Sequence, residues 1–317
     1  MTKQTSIEAL VKSLLRRREP SAQSLIVTLF GDCVSQHGGS LWLGSLIGAL
    51  DSFAINERST RTAVFRLVQD GWLAVEREGR RSYYRFAPHG QREFERAAGR
   101  VYAVGRPQWD GTWTLAILHA VSGDSRDALR TSLGWIGFGQ LAPGVYAHPS
   151  PDRQALIDLV EEQGVGRQVL IMDARMTEAA SIPELAHSRW RLPELGKRYR
   201  RFVDDFEPVA RALPKRADPQ LCFVVRTLLI HEYRRILLTD PDLPDGLLPD
   251  GWPGRRAAEL TKGLYFDVAE RSTEFVMQAF ENATGPLPKP AAGFFRRFAG
   301  QGDSSTSIRS KPRKRMR

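Results

Sequence analysis

Residues 56–86 read NERSTRTAVFRLVQDGWLAVEREGRRSYYRF. The residues here that can do chemistry are guanidiniums and hydroxyls at helical spacing, namely Arg58, Ser59, Arg61, Thr62 and Arg66, with Arg80 and Arg81 following just after a glycine. A guanidinium presents a fork of donors that matches guanine O6 and N7, while hydroxyls and turn cations suit phosphate oxygens. These seven are the candidate contacts to double-stranded DNA. Phe65 falls on the same side, where it either touches a thymine methyl or packs on the preceding helix. Glu76 and Glu78 work against phosphate at the hairpin. The plainer alternative is an amphipathic helix beside a solvated basic turn, but helix order, strand order and arginine placement all agree with DNA.

A second cluster lies at residues 226–235, where Arg226 precedes the run LLIHEYRR. Arg226, His231, Arg234 and Arg235 beside leucine and isoleucine suit a ligand with anionic groups and an apolar end. On a helix, His231, Arg234 and Arg235 share a side. Equally, the arginines pair with acids such as Glu194, Asp240 or Asp242 and only hold the structure together. The second histidine that a zinc-protease helix needs four residues on is missing. The apolar strand at 113–118 ends without a carboxylate to hold a metal, and Asp173 stands alone, which argues against a nuclease. With no P-loop, nucleophile elbow or dinucleotide fingerprint, the sequence supports no enzyme, no metal and no cofactor. Cys33 and Cys222 sit within apolar helical patterns and read as small buried hydrophobes.

The elements that must position the first cluster are legible around it. Asn56 is a natural N-cap, and Glu57 suits the positive end of the helix dipole. Thr60, Ala63, Val64, Leu67, Val68 and Gly71 form the opposite, inward side. Gly71 stops the helix, and residues 73–77 and 82–86 have strand character joined through Gly79 in a tight turn. Upstream, Leu25, Ile26, Leu29, Phe30 and Cys33 predict a helix, residues 41–43 one rung of strand, and Leu46, Ile47 and Leu50 a short second helix. Helix, strand, helix, helix, hairpin is the succession of a winged helix-turn-helix, assigned to residues 21–104 after a mobile lead-in at 1–20.

From Trp113 the order becomes β-α-β-β-α-β, which predicts a ferredoxin-like domain over residues 105–180. After Pro183 the pattern is helical, and residues 181–283 are assigned to a C-terminal helical domain. The whole is an α+β multidomain protein. Net charge is +10 over 317 residues, but residues 283–317 hold nine Lys and Arg against Asp303. That segment therefore carries +8, leaving +2 for the rest, so DNA affinity must come from local arginine placement. Residues 284–317 are expected to be a disordered basic tail. No apolar run is long enough to span a membrane and no signal peptide opens the chain, which predicts a cytoplasmic protein.

Several stretches together resemble one family. GGSLWLGSLI at 38–47, INERSTRTAVFRLVQDGWL at 55–73, EGRRSYYRF at 78–86, QLAPGVYAHP at 140–149, LLIHEYRRILLTDPDLP at 228–244 and WPG at 252–254 are similar to the PaaX-type repressors of phenylacetic acid degradation operons. The resemblance implies a homodimeric repressor with a winged helix, a Cas2-like central domain and a helical C-terminal domain, released from its operator by phenylacetyl-CoA. It carries over the helix and hairpin residues but no effector pocket. The rival expectation is a winged-helix regulator without an effector, controlled by a protein partner.

Overall fold

The computed structural model of the chain describes residues 6–103, 105–106, 109–149, 151–175 and 182–298. These divide into two compact units. One comprises the residues before 105 with 202–234 and 257–298, the other 105–201 with 235–256.

The chain opens with α1 (Ile7–Arg18), capped by Ser6, whose hydroxyl accepts from the Ala9 N–H. Ile7, Val11 and Leu14, at i, i+4 and i+7, are buried. Arg17 pairs with Asp205 at 2.7 Å, and Arg18 pairs with Asp205 and, at 3.3 Å, with Glu232. Residues 7–18 are thus a docked helix, correcting the expected mobile lead-in; a basic run hides how well its apolar positions are spaced.

Next come α2 (Ala22–Asp32), β1 (Ser40–Trp42), α3 (Leu43–Asp51), α4 (Glu57–Gln69), β2 (Leu73–Glu78) and β3 (Arg81–Phe86). The three strands form an antiparallel sheet in the order β1-β3-β2. Leu25, Leu29, Leu46, Leu50, Val64 and Leu67 close the core beneath them. Pro88 starts α5 (Pro88–Val101), where its missing N–H costs nothing. Phe94 of this helix stacks on Phe86 and fills the space beside Gly31, where a Cβ would meet its ring at 1.9 Å.

The second unit holds β4 (Thr112–Leu118), α6 (Gly123–Trp135), β5 (Gly139–Ala142), β6 (Val145–His148), α7 (Arg153–Glu162) and β7 (Val169–Arg175). Its sheet is antiparallel in the order β5-β6-β4-β7. That is the split β-α-β arrangement expected for this stretch. Ala116, Leu118, Leu129, Leu133, Leu156 and Val160 pack sheet against helices. Asp173 is paired with Arg153 at 2.9 Å and Thr114 at 3.0 Å.

The helices α8 (Ile182–Arg189), α9 (Leu192–Ala212), α10 (Pro219–Leu237) and α11 (Pro253–Ala279) follow, then β8 (Glu281–Asn282), β9 (Gly285–Pro286) and α12 (Ala292–Phe295). Of the helical stretch, 202–234 and 257–279 lie in the compact unit of the N-terminal residues, and 182–201 with 235–256 in the other. Part of the expected disordered tail is folded instead, since β9 and α12 lie within 285–298 and Phe294, Arg297 and Phe298 are buried. The rest of the expected tail, 299–317, lies outside the described residues. No described helix is long and apolar enough to cross a membrane.

Candidate nucleic-acid interface

The candidate helix, α4, is built by local sequence. Asn56 Oδ1 accepts from the Ser59 N–H at 2.9 Å, and Gly71, at φ +72°, turns the chain away after the last helical residues. Thr60, Ala63, Val64 and Leu67 are buried, while Arg58, Ser59, Arg61, Thr62 and Arg66 are all exposed on the other side. Phe65 is 62% exposed, so of its two expected placements the inward one does not hold. Thr62 donates back to the Arg58 carbonyl at 2.9 Å. Arg61 pairs with Glu57 one turn earlier at 2.7 Å, in an exposed i, i+4 arrangement.

The hairpin closes in a two-residue turn, with Glu78 opposite Arg81 and Gly79 at φ +58°. Its two candidate arginines differ. Arg80 is exposed, whereas Arg81 lies over the Trp42 ring at 4.5 Å and donates to Glu281 at 3.1 Å. Arg81 therefore ties the hairpin to β1 and β8, and its charge is partly answered within the protein. Arg77 is exposed on β2, three residues before Arg80, and was not among the sequence candidates.

The second cluster comes apart. Arg226 is wholly buried, with its Nε 2.7 Å from Asp32 Oδ2, and Arg297 Nη1 is 2.7 Å from Asp32 Oδ1. Tyr102 donates to the same Oδ1 at 2.6 Å and Tyr265 at 3.1 Å. Burial alone would raise the Asp32 carboxyl, but Arg226 and Arg297 outweigh it and hold it below the ordinary aspartate value. Burial pushes the neighbouring Cys33 thiol up to about 12 and Cys222 up to about 11, as expected of inert cysteines. Arg226 is thus a structural member of an ion cluster, which corrects its expected place in an effector set.

His231 and Arg234 are also buried. Both meet Thr28, His231 Nδ1 at 3.2 Å and Arg234 Nη1 at 3.2 Å from its hydroxyl. Burial lowers the Arg234 pKa. Arg235 is exposed, and its carbonyl accepts from Arg198 at 2.8 Å. The four side chains expected around one ligand therefore do not share one surface. No group of three or more metal-binding side chains occurs among the described residues.

Three family models match along the chain: "PaaX-like protein" over residues 21–90, "PaaX protein central Cas2-like domain" over 106–186 and "PaaX-like protein C-terminal domain" over 190–278. The transcriptional repressor PaaX of Escherichia coli (strain K12) is 38% identical over 286 residues, covering 88% of this chain and 90% of that protein. Among solved structures, the uncharacterized protein Rv0674 of Mycobacterium tuberculosis has a TM-score of 0.54 at 26% identity. That match covers 79% of this chain and 97% of the other.

Proposed function

The chain belongs to the PaaX family, and from that premise we propose that it is a transcriptional repressor of phenylacetate catabolism genes. It is a regulator and not an enzyme. It binds operator DNA through a winged helix-turn-helix in which α4 enters the major groove and the β2–β3 hairpin is the wing. The observation that carries this reading is the outward side of α4, where Arg58, Ser59, Arg61, Thr62 and Arg66 are exposed over a buried apolar side. Arg77 and Arg80 extend the positive surface to the hairpin, while Arg81 supports it from behind.

Two copies bind paired half-sites, and phenylacetyl-CoA releases them. The effector binds better to an arrangement unfit for the operator and draws the population toward it. Fluorescence anisotropy on a labelled duplex from the promoter it controls, with and without phenylacetyl-CoA, tests both steps. Specific binding that the thioester reverses is the expected result. Binding indifferent to the thioester removes the effector from the reading, and binding indifferent to duplex sequence removes the repressor.

Arg61→Ala is expected to weaken operator binding by about 1–3 kcal/mol, the worth of a bidentate base contact. It should leave thermal stability nearly unchanged, because an exposed i, i+4 pair such as Arg61–Glu57 contributes only about 0.3–0.5 kcal/mol. Equal operator affinity for parent and variant at one fixed salt concentration takes Arg61 off the reading face.

A further inference from the structure

Within the unit of residues 105–201 and 235–256 lies a cavity of about 450 Å³, inside the roughly 300–1,000 Å³ range of small-molecule sites. Its lining is aromatic and cationic, with Trp135, Phe138, Trp190 and Leu238 beside Arg189 and Arg191. Trp135, the last residue of α6, is 70% exposed and Leu238 is 43% exposed. Trp135 and Leu238 thus offer apolar surface to a ligand entering the cavity.

The opposite wall is fixed. Trp190 is buried, donates its indole N–H to the Gly137 carbonyl at 2.7 Å and packs tilted on Trp113 at 5.9 Å. Gly139 leaves room for it, since a Cβ there would meet the indole at 2.6 Å. A site with one rigid aromatic wall and one exposed tryptophan is prepared for a flat ring.

Charge at the cavity favours an anion. Among the described residues, the only carboxylate of the lining, Asp240, is taken up by Arg106 at 2.7 Å and by the Tyr199 hydroxyl at 2.5 Å. Burial would raise its pKa, but Arg106 prevails and keeps it ionised, so its charge is answered locally. Arg189 and Arg191 are exposed, and neither forms an ion pair among the described residues. Arg191 also holds φ +50°, a conformation that glycine adopts far more readily, where its carbonyl accepts from Glu194 and Leu195 to start α9.

We propose that this cavity is the effector site, taking an aromatic ring against Trp135 and Trp190 and the effector's anionic groups on Arg189 and Arg191. The proposal rests on the effector-release reading above and places the ligand away from His231 and Arg234 on α10. The test is calorimetric titration of the full chain with phenylacetyl-CoA, coenzyme A and phenylacetate, repeated on Trp135→Ala and Arg191→Gly. Trp135 is exposed and Arg191→Gly relieves its backbone, so both variants should melt no lower than the parent. Each should bind phenylacetyl-CoA at least about tenfold more weakly, as expected when one aromatic or charge-assisted interaction is removed. Parent-like affinity in both variants overturns this site and leaves effector release standing. No binding of any of the three probes by the parent overturns effector release and this site with it. Unchanged affinity with an altered oligomeric state for Trp135→Ala also overturns the proposal, by making the surface an interface between copies.

Discussion

Asp32→Ala is expected to cost about 3–5 kcal/mol of folding stability, the scale on which breaking a buried ion pair leaves uncompensated charge. The carboxylate sits between two buried guanidiniums, Arg226 and Arg297, and also accepts from Tyr102 and Tyr265. Removing it leaves two cations facing each other away from water. Chemical denaturation of the variant measures the loss, and a free energy equal to the parent's sinks the account. Replacing all three charged residues together by apolar ones of similar size should recover much of the loss, because isolated charge is the larger cost.

The same group sets an acid sensitivity. Asp32 has a depressed pKa in the folded state, so its stabilisation is complete above the unfolded aspartate value of about 3.9. It is lost as pH falls through the lower folded value. An Asp32→Asn variant, already lacking the charge, should show a flatter decline below about pH 4 than the parent. Identical acid limbs for the two proteins exclude Asp32 as the source.

The second large effect separates two parts of what looked like one tail. Ending the chain at residue 284 removes Arg297 from Asp32 and the buried Phe294 and Phe298 from their neighbours. At about 1.5–3 kcal/mol per buried aromatic side chain, this should destabilise the protein by several kcal/mol. Ending it at 298 keeps that packing and removes only residues with six cations, Arg309, Lys311, Arg313, Lys314, Arg315 and Arg317. The longer chain should melt like the parent. It should bind operator and random duplex more weakly by similar factors, with a salt slope shallower by about 0.9 for each phosphate that the missing cations no longer neutralise. Equal melting of both truncations, or loss of operator preference alone in the longer one, contradicts this division.

What the sequence disclosed follows the range of the interactions. Asn56, Gly71 and Gly79 act within a few residues of themselves, so the exposed helix and its hairpin were readable directly. The β-α-β-β-α-β succession was readable from short apolar runs separated by helical segments and turn residues. Arg226 was unreadable because its partner lies 194 residues earlier. Periodicity grouped His231, Arg234 and Arg235 on one side of a helix, but it could not say that burial cuts through the group between Arg234 and Arg235. Composition misled at both ends, where basic residues outweighed Ile7, Val11 and Leu14 in one segment and Phe294 and Phe298 in the other. The cavity residues are scattered from Thr131 to Pro241, with no local motif to mark them.

The cluster around Asp32 also has a consequence for synthesis. Asp32 leaves the ribosome early, Arg226 nearly two hundred residues later and Arg297 last of all. Domains of a growing chain generally fold in order of emergence. The helices and hairpin before residue 87 precede both cations in synthesis, so the buried carboxylate waits for Arg226 and Arg297. A chain released before Arg297 carries α4 without the charges that complete its support. Such products should be less stable than the longer chain and more open to proteolysis.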